Sequence, residues 1–367
     1  MKLLFTGGGT AGHVSPAIAI AEYAKKNFGI NDFAFVGRLG GDENTAIIKR
    51  NYRLYEIEIS GFLRKISFEN FKRIIKLSRA LKEAKKVIAD FHPDAVIGTG
   101  GYVSWPVIRA AQKAKIPTFI HESNAFPGLV TRLVSKKCDK VFLNVDKARE
   151  HLKRQDNVKI VGNPVEARFY STDRGRARKM LGIKKDEFLI VSYAGSGGAE
   201  KMNKIILELI KTYSSKNPKI RHIHATGKKY YERIIKSADY FKKEENGISL
   251  LPYIDDLHIA LNASDVVIAR CGAMTLTEIS ASKAAAILIP SPNVTGNHQY
   301  KNAKALEEKN AAKIIEEKEL SVETLIKETD SLIKNPEERE ILSKNVSKEF
   351  KKDTEKEILK EILSSAR

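Results

Sequence analysis

The sequence predicts an α/β protein built from two doubly wound domains. Three observations carry this. Short apolar runs alternate with longer amphipathic segments, the alternation restarts near residue 188, and four of the apolar runs end in glycine-rich turns. Strands that alternate with helices predict a parallel sheet covered on both faces.

In the first half, KLLFTG (2–7), DFAFVG (32–37), DAVIGTGG (94–101), PTFIHES (117–123), KVFLN (140–144) and VKIVGNPV (158–165) read as strands. PAIAIAEYAKKN (16–27) reads as a helix with Pro16 in its first turn, where a missing N–H costs nothing. VSWPVIRAAQKAK reads as the helix between the third and fourth of these strands. In the second half, the strands are FLIVSYAGSGG (188–198), RHIHATG (221–227), ISLLPYI (248–254), DVVIARCG (265–272) and AAAILIPSP (284–292), with a helix over AEKMNKIILELIKTYSSK. After about Ser321 the chain is charged and helical in composition, with no strand signal. The expected division is 1–163, 164–340 and a C-terminal helix in 341–367 that packs back on the first domain.

A chain of 367 residues, 42% hydrophobic and 30% charged, can bury two ordinary cores. The formal net charge of +19 favours an anionic partner, although lysine-rich solvated faces account for part of it. No nucleic-acid-binding motif accompanies the charge. Cys138 and Cys271 stand far apart, which speaks against a zinc site or a disulfide framework. No run approaches the ~20 apolar residues of a membrane span, and the start is not a signal peptide. The expected location is cytoplasmic.

Gly7, Gly9 and Gly12 spell G-x-G-x-x-G. A dinucleotide site would also need an acid at the end of the second strand to hold the ribose. Arg38 stands there, and Asp32 lies at the wrong end. The loop remains suited to some other phosphate, because glycines admit close approach and a helix N-terminus favours anions. His13 at this junction can donate to a phosphate or act as a base. Three further turns share the design: GTGGYVSWP (98–106), AGSGGAEKMN (194–203) and RCGAMTLTE (270–278). If a helix starts near Ala273, Glu278 can project toward a ribose diol. Four such turns at strand ends predict a phosphate-bearing ligand held in a cleft between the domains.

GGTAGHVSPAIAIA, GTGGYVSWPV, HESNAFPGLVTRLVSK, VGNPV, SDVVIARCGAMTLTE and PSPNVTGNHQYKNAKALEEKNAA occur in this order. Together they resemble the MurG family of bacterial N-acetylglucosaminyltransferases, over residues 6 to about 313. The resemblance implies a GT-B fold with two Rossmann-like domains facing a cleft. It implies metal-independent, inverting transfer of N-acetylglucosamine from UDP-GlcNAc to lipid I, giving lipid II, with no cofactor. It places the acceptor on the first domain and the donor on the second. It further implies a peripheral position on the anionic cytoplasmic face of the cell membrane, with other cell-wall or division proteins as further partners and no nucleic acid.

Carried over by position, the resemblance assigns Thr10, Ala11 and Gly12 to the sugar nucleotide, with Asn124 and Ser196 as further contacts. Ile254 meets the uracil through its backbone. Ala273, Met274, Thr275, Leu276, Thr277 and Glu278 hold uridine and phosphate, and His298 and Gln299 read the sugar hydroxyls. Gly100, Gly101 and Tyr102 form an acceptor or diphosphate loop. The general base is His13 or Glu122, with His13 preferred; His13 acting only as a phosphate ligand is the alternative.

The chain departs from the family at three places. Ala194 and Gly197 replace a glycine and a glutamine in the third loop. Glu166 stands where the family carries an arginine, with Arg168 as a candidate substitute. His298 replaces one glutamine of the sugar-reading pair. GFLRKISFENFKRIIKLSRALKEAKK (61–86) has an apolar face flanked by cations and is expected to meet the membrane. The competing readings are another GT-B transferase, a UDP-sugar epimerase and a non-catalytic sugar-nucleotide sensor.

Overall fold

The computed structural model describes residues 1–61, 68–237 and 247–365. The chain forms two compact units, Met1–Glu166 with Lys351–Arg367, and Ala167–Phe350.

The strands of the first unit are β1 (Lys2–Thr6), β2 (Asp32–Arg38), β3 (Arg53–Ile57), β4 (Ala95–Gly98), β5 (Thr118–Glu122), β6 (Lys140–Leu143) and β7 (Val158–Ile160). They form a parallel sheet in the order β3-β2-β1-β4-β5-β6-β7. The order reverses between β1 and β4, and a crevice opens at such a reversal beyond the carboxyl ends of the strands. The loops after β1 and β4 are the first and second glycine turns.

Side chains alternate across the sheet. Leu3, Phe5, Phe33, Phe35, Ile97, Phe119 and Phe142 pack on one face beneath helix Ala11–Phe28 and helix Thr354–Ser365, which adds Ile358, Leu359 and Ile362. Leu4, Ala34, Val36 and Val96 pack on the other, under helices Phe68–Phe91 and Ser104–Lys113. Each large apolar side chain buried this way contributes roughly 1.5–3 kcal/mol.

Helix Ala11–Phe28 starts earlier than its proline suggests. Pro16 lies in the second turn, and His13 is already in the first, its N–H bonded to the Thr10 carbonyl at 3.1 Å. Pro16 removes one donor from the ladder; the Thr99 hydroxyl donates to the His13 carbonyl at 2.5 Å, tying the first turn to the neighbouring loop.

The second unit contains β8 (Phe188–Tyr193), β9 (Ile220–Ala225), β10 (Ile248–Leu251), β11 (Val266–Ala269), β12 (Ala286–Leu288) and β13 (Lys313–Ile314). The parallel order β10-β9-β8-β11-β12-β13 repeats the winding of the first sheet and reverses between β8 and β11. The third and fourth glycine turns follow those two strands. Ile190, Ile268 and Ile287 pack with Met202, Ile206 and Leu209 of helix Glu200–Thr212 and with Leu325 and Leu332 of helix Val322–Lys334.

Within the membrane-facing expectation, residues 62–67 lie outside the described residues. Helix Phe68–Phe91 packs against helix Ser104–Lys113. Among the described residues no helix is long and apolar enough to cross a membrane.

Candidate active site

In the first unit, the reversal between β1 and β4 gathers His13, Gly100, Gly101 and Tyr102. The His13 Nδ1 lies 3.0 Å from the Gly8 carbonyl oxygen and 3.2 Å from the Thr10 hydroxyl. A carbonyl oxygen only accepts, so Nδ1 carries the proton and Nε2 keeps its lone pair. Burial pushes the His13 pKa below its usual 6.5, against the opposing pull of Glu122, the Gly8 carbonyl and Glu43. The ring is therefore neutral near pH 7, with its basic nitrogen available.

The second loop fits against this ring. Gly101 has φ +77°, and a Cβ there would lie 2.0 Å from the Gly8 oxygen and 2.9 Å from His13 Nδ1. Only glycine accommodates both the conformation and the approach. Tyr102 lies against Gly9, whose N–H donates to the Glu43 carboxylate at 2.7 Å. Glu43 is buried and fixes the first loop, with Arg38 Nε 3.9 Å from it. Sequence reading missed Glu43 because its role depends on a contact 34 residues away. Arg38, which stands where a dinucleotide site would carry an acid, is part of this arrangement.

Glu122 ends β5 and is buried. One oxygen accepts from the backbone and side-chain nitrogens of Asn124, both at 3.1 Å. The other accepts from Gly128 N at 2.9 Å and from the Thr131 hydroxyl at 2.7 Å. The carboxylate thus folds the 123–131 turn around itself, with both oxygens engaged. Asn124 is half-buried and held by it. Thr10 is exposed at the start of the helix, and Ala11 and Gly12 are half-buried in its first turn.

In the second unit, Ser196 is exposed in the turn after β8, and helix Ala273–Ala281 starts directly at Gly272. Neither this helix, helix Glu200–Thr212 nor helix Ala11–Phe28 has a side-chain cap at its N-terminus. Uncapped N-termini of this kind suit an anion. Met274 is buried, while Ala273, Thr275, Leu276, Thr277 and Glu278 are half-buried. The Thr277 hydroxyl donates back to the Ala273 carbonyl at 3.0 Å.

Gln299 Oε1 accepts from Ser291 N at 2.9 Å and from Cys271 N at 3.3 Å. That clamps the ends of β11 and β12 and assigns the amide nitrogen as the remaining donor group. His298 is half-buried beside it. Ile254 is buried after β10, and Asp256, two residues on, lies 3.9 Å from Arg168. Glu166 is held by Arg50 at 2.9 and 3.0 Å, a structural ion pair within the first unit.

Two Rossmann-like units, each with uncapped helix starts at its switch point, have the architecture of the GT-B fold. The chain belongs to glycosyltransferase family 28: the N-terminal domain of that family matches residues 3–143 and its C-terminal domain matches residues 189–358. It is similar to the UDP-N-acetylglucosamine–N-acetylmuramyl-(pentapeptide) pyrophosphoryl-undecaprenol N-acetylglucosamine transferase of Acetivibrio thermocellus. The two are 41% identical over 345 residues, 94% of this chain and 93% of the relative. Among solved structures, the MurG of Acinetobacter baumannii covers 99% of this chain and 100% of its own, with TM-score 0.68 and 25% identity. A UDP-GlcNAc 2-epimerase from Neisseria meningitidis has TM-score 0.67 at 15% identity, over 99% of this chain and 100% of its own, a likeness of fold alone.

Proposed function

We propose that this protein transfers N-acetylglucosamine from UDP-GlcNAc to lipid I, forming lipid II in peptidoglycan synthesis. The observation that carries this reading is 41% identity, sustained over 345 residues, to a transferase bearing that name. The epimerase alternative rests on fold likeness only.

In this reading, each unit's switch point supplies part of the chemistry. The bond from the sugar C1 to the UDP oxygen breaks, and its electron pair leaves with the diphosphate. The acceptor hydroxyl oxygen forms the new bond to C1 from the opposite side and gives up its proton. His13 Nε2 receives that proton, since its lone pair is available and the ring is neutral. The uncapped helix starts at Ala273 and Glu200 favour the charge growing on the leaving diphosphate, with Ser196 beside the latter. Glu122 serves as the clamp of the acceptor-side turn and as a negative charge near His13. This division makes His13 the base and Glu122 a positioning residue. Glu278 holds the ribose, Ile254 the uracil, and Gln299 with His298 the sugar hydroxyls. No step in this scheme calls on a metal ion.

The acceptor is lipid-linked, so the first unit works at the cytoplasmic face of the membrane. Its surface supports this with Phe126, Leu129 and Leu133, all exposed, beside Arg132, Lys136 and Lys137. Residues 124–137 carry three cations and no acid. Such a mixture suits anionic headgroups. The 61–86 segment is a second contact in the same reading.

The test is transfer of labelled N-acetylglucosamine from UDP-GlcNAc to a lipid I analogue, with chelator present, by wild type and His13→Ala. Product in chelator with wild type, and a loss of at least a hundredfold in the variant, is the expected result. UDP-GlcNAc binding without product on any lipid-linked acceptor would refute the transferase reading and leave a sensor.

A further inference from the structure

Tyr193 is the last residue of β8, in register with Ala269 of β11 and Ala225 of β9. It stands at the switch point of the second sheet, directly before the turn that carries Ser196. The side chain is 5% exposed, and its hydroxyl is buried with no hydrogen-bond partner among the described residues. Among the described residues, Glu278, on helix Ala273–Ala281, and Tyr253, which precedes Ile254, act electrostatically on it. Both belong to segments assigned above to the nucleotide.

A buried hydroxyl without a partner is the costly case among polar groups. Phenylalanine would fill the same volume at this position without that cost. The hydroxyl therefore has a use that contacts among the described residues do not supply. Burial also pushes the phenol pKa well above its usual 10, so the group stays a donor at any working pH. The natural acceptor for a donor in this place is the neighbouring carboxylate.

We propose that Tyr193 is a positioning residue for the nucleotide: its hydroxyl donates to the Glu278 carboxylate when that carboxylate turns to engage the ribose diol, fixing Glu278 in the binding orientation. One carboxylate oxygen then accepts from Tyr193, and the rest of its acceptor capacity faces the ribose. The inference rests on the assignment of Glu278 to the ribose.

The experiment is calorimetric titration of UDP and of 2′,3′-dideoxy-UDP into wild type, Tyr193→Phe, Glu278→Gln and the double variant, with ligand-free melting curves for each. Tyr193→Phe is expected to weaken UDP by roughly ten-fold, the worth of one hydrogen bond to a charged group. It should leave 2′,3′-dideoxy-UDP unchanged, add nothing to Glu278→Gln, and hold or raise the ligand-free Tm. Equal losses for both nucleotides, a loss that adds to that of Glu278→Gln, or no loss at all would overturn it. A fall in the ligand-free Tm would also overturn it, since the hydroxyl would then have a structural partner. If Glu278→Gln weakens UDP and Tyr193→Phe does not, this inference alone fails. If Glu278→Gln binds UDP like wild type, the ribose assignment fails and takes the inference with it.

Discussion

Glu122→Gln separates a clamp from a base. The substitution keeps size and shape but replaces one acceptor oxygen with an NH2 group. Each Glu122 oxygen accepts one backbone N–H and one side-chain donor. On either side, the side-chain partner can adapt: the Asn124 amide can flip, and the Thr131 hydroxyl can turn to accept. The backbone N–H of Asn124 or of Gly128 cannot, and is left facing a donor. An orphaned buried N–H costs about 1–3 kcal/mol, and the loss of charge weakens the surviving bonds further. The sum is about 3 kcal/mol. At ~2–4 °C per kcal/mol for a unit of this size, the first unit should melt roughly 6–12 °C lower. Turnover, measured at 20 °C where the variant remains folded, should fall less than ten-fold, because His13 keeps its proton on Nδ1 and its lone pair on Nε2. Differential scanning calorimetry and a radiolabel transfer assay measure the two quantities. An unchanged Tm with turnover down a thousandfold would show that the carboxylate itself takes the proton, and the clamp argument would be wrong.

Three further outcomes follow from the same geometry. His13→Gln should lower kcat by about 10²–10⁴ with little change in Tm; the wild-type acid limb of kcat/KM should fall below pH 6.5, because burial lowers the His13 pKa and the neutral ring is the active form. Gly101→Ala forces a Cβ to 2.0 Å from the Gly8 oxygen at φ +77°, so it should cost at least about 2 kcal/mol and, by displacing the His13 ring, about a hundredfold in activity, read from melting and turnover of the same preparation. In the second unit, Ser192 joins the fully buried His222 and His224 at 2.8 Å each, and burial holds the His224 pKa down at about 4 and that of His222 well below 6.5. The unfolded chain takes up protons below pH 6.5 that the native pair refuses, so stability should be flat above that pH and fall between pH 6.5 and 4, by about 3 kcal/mol for His224 alone, as melting curves across this range would register.

Much of this was legible in the residues. The apolar runs of β1, β2, β4, β5, β8 and β11 are central strands buried on both faces, so their sequences are continuous and unmistakable. The glycine turns after β1, β4, β8 and β11 announce the switch points. The edges are another matter. Arg53–Ile57 has only one buried residue, Ile57, and exposes Arg53 and Glu56, and Lys313–Ile314 is two residues long, so neither reads as a strand until a sheet is there to receive it. The helix start at Ala11 was obscured by Pro16, which local rules place in a first turn. At the site, residue type marked both His13 and Glu122 as candidate bases. What distinguishes them is the hydrogen-bond inventory: the His13 proton is fixed on Nδ1, while all the Glu122 acceptors are engaged. Glu43, and Gly101 against His13, act through contacts made across the fold, and single-residue patterns do not encode such contacts.

The first unit is sewn shut by a helix made long after the rest of it. Ile358, Leu359 and Ile362 complete the core around Phe5 and Phe35, and the Thr354 hydroxyl bonds to the Val161 carbonyl at 2.7 Å. On the ribosome, residues 1–166 must wait with that apolar surface uncovered while all of 167–350 is synthesised. During this interval the nascent first sheet is open to chaperones and to self-association, whereas the second unit is one continuous stretch of chain. Loss of helix Thr354–Ser365 would therefore damage the part of the polypeptide made first, and the first unit acquires its closed core only when that helix is released.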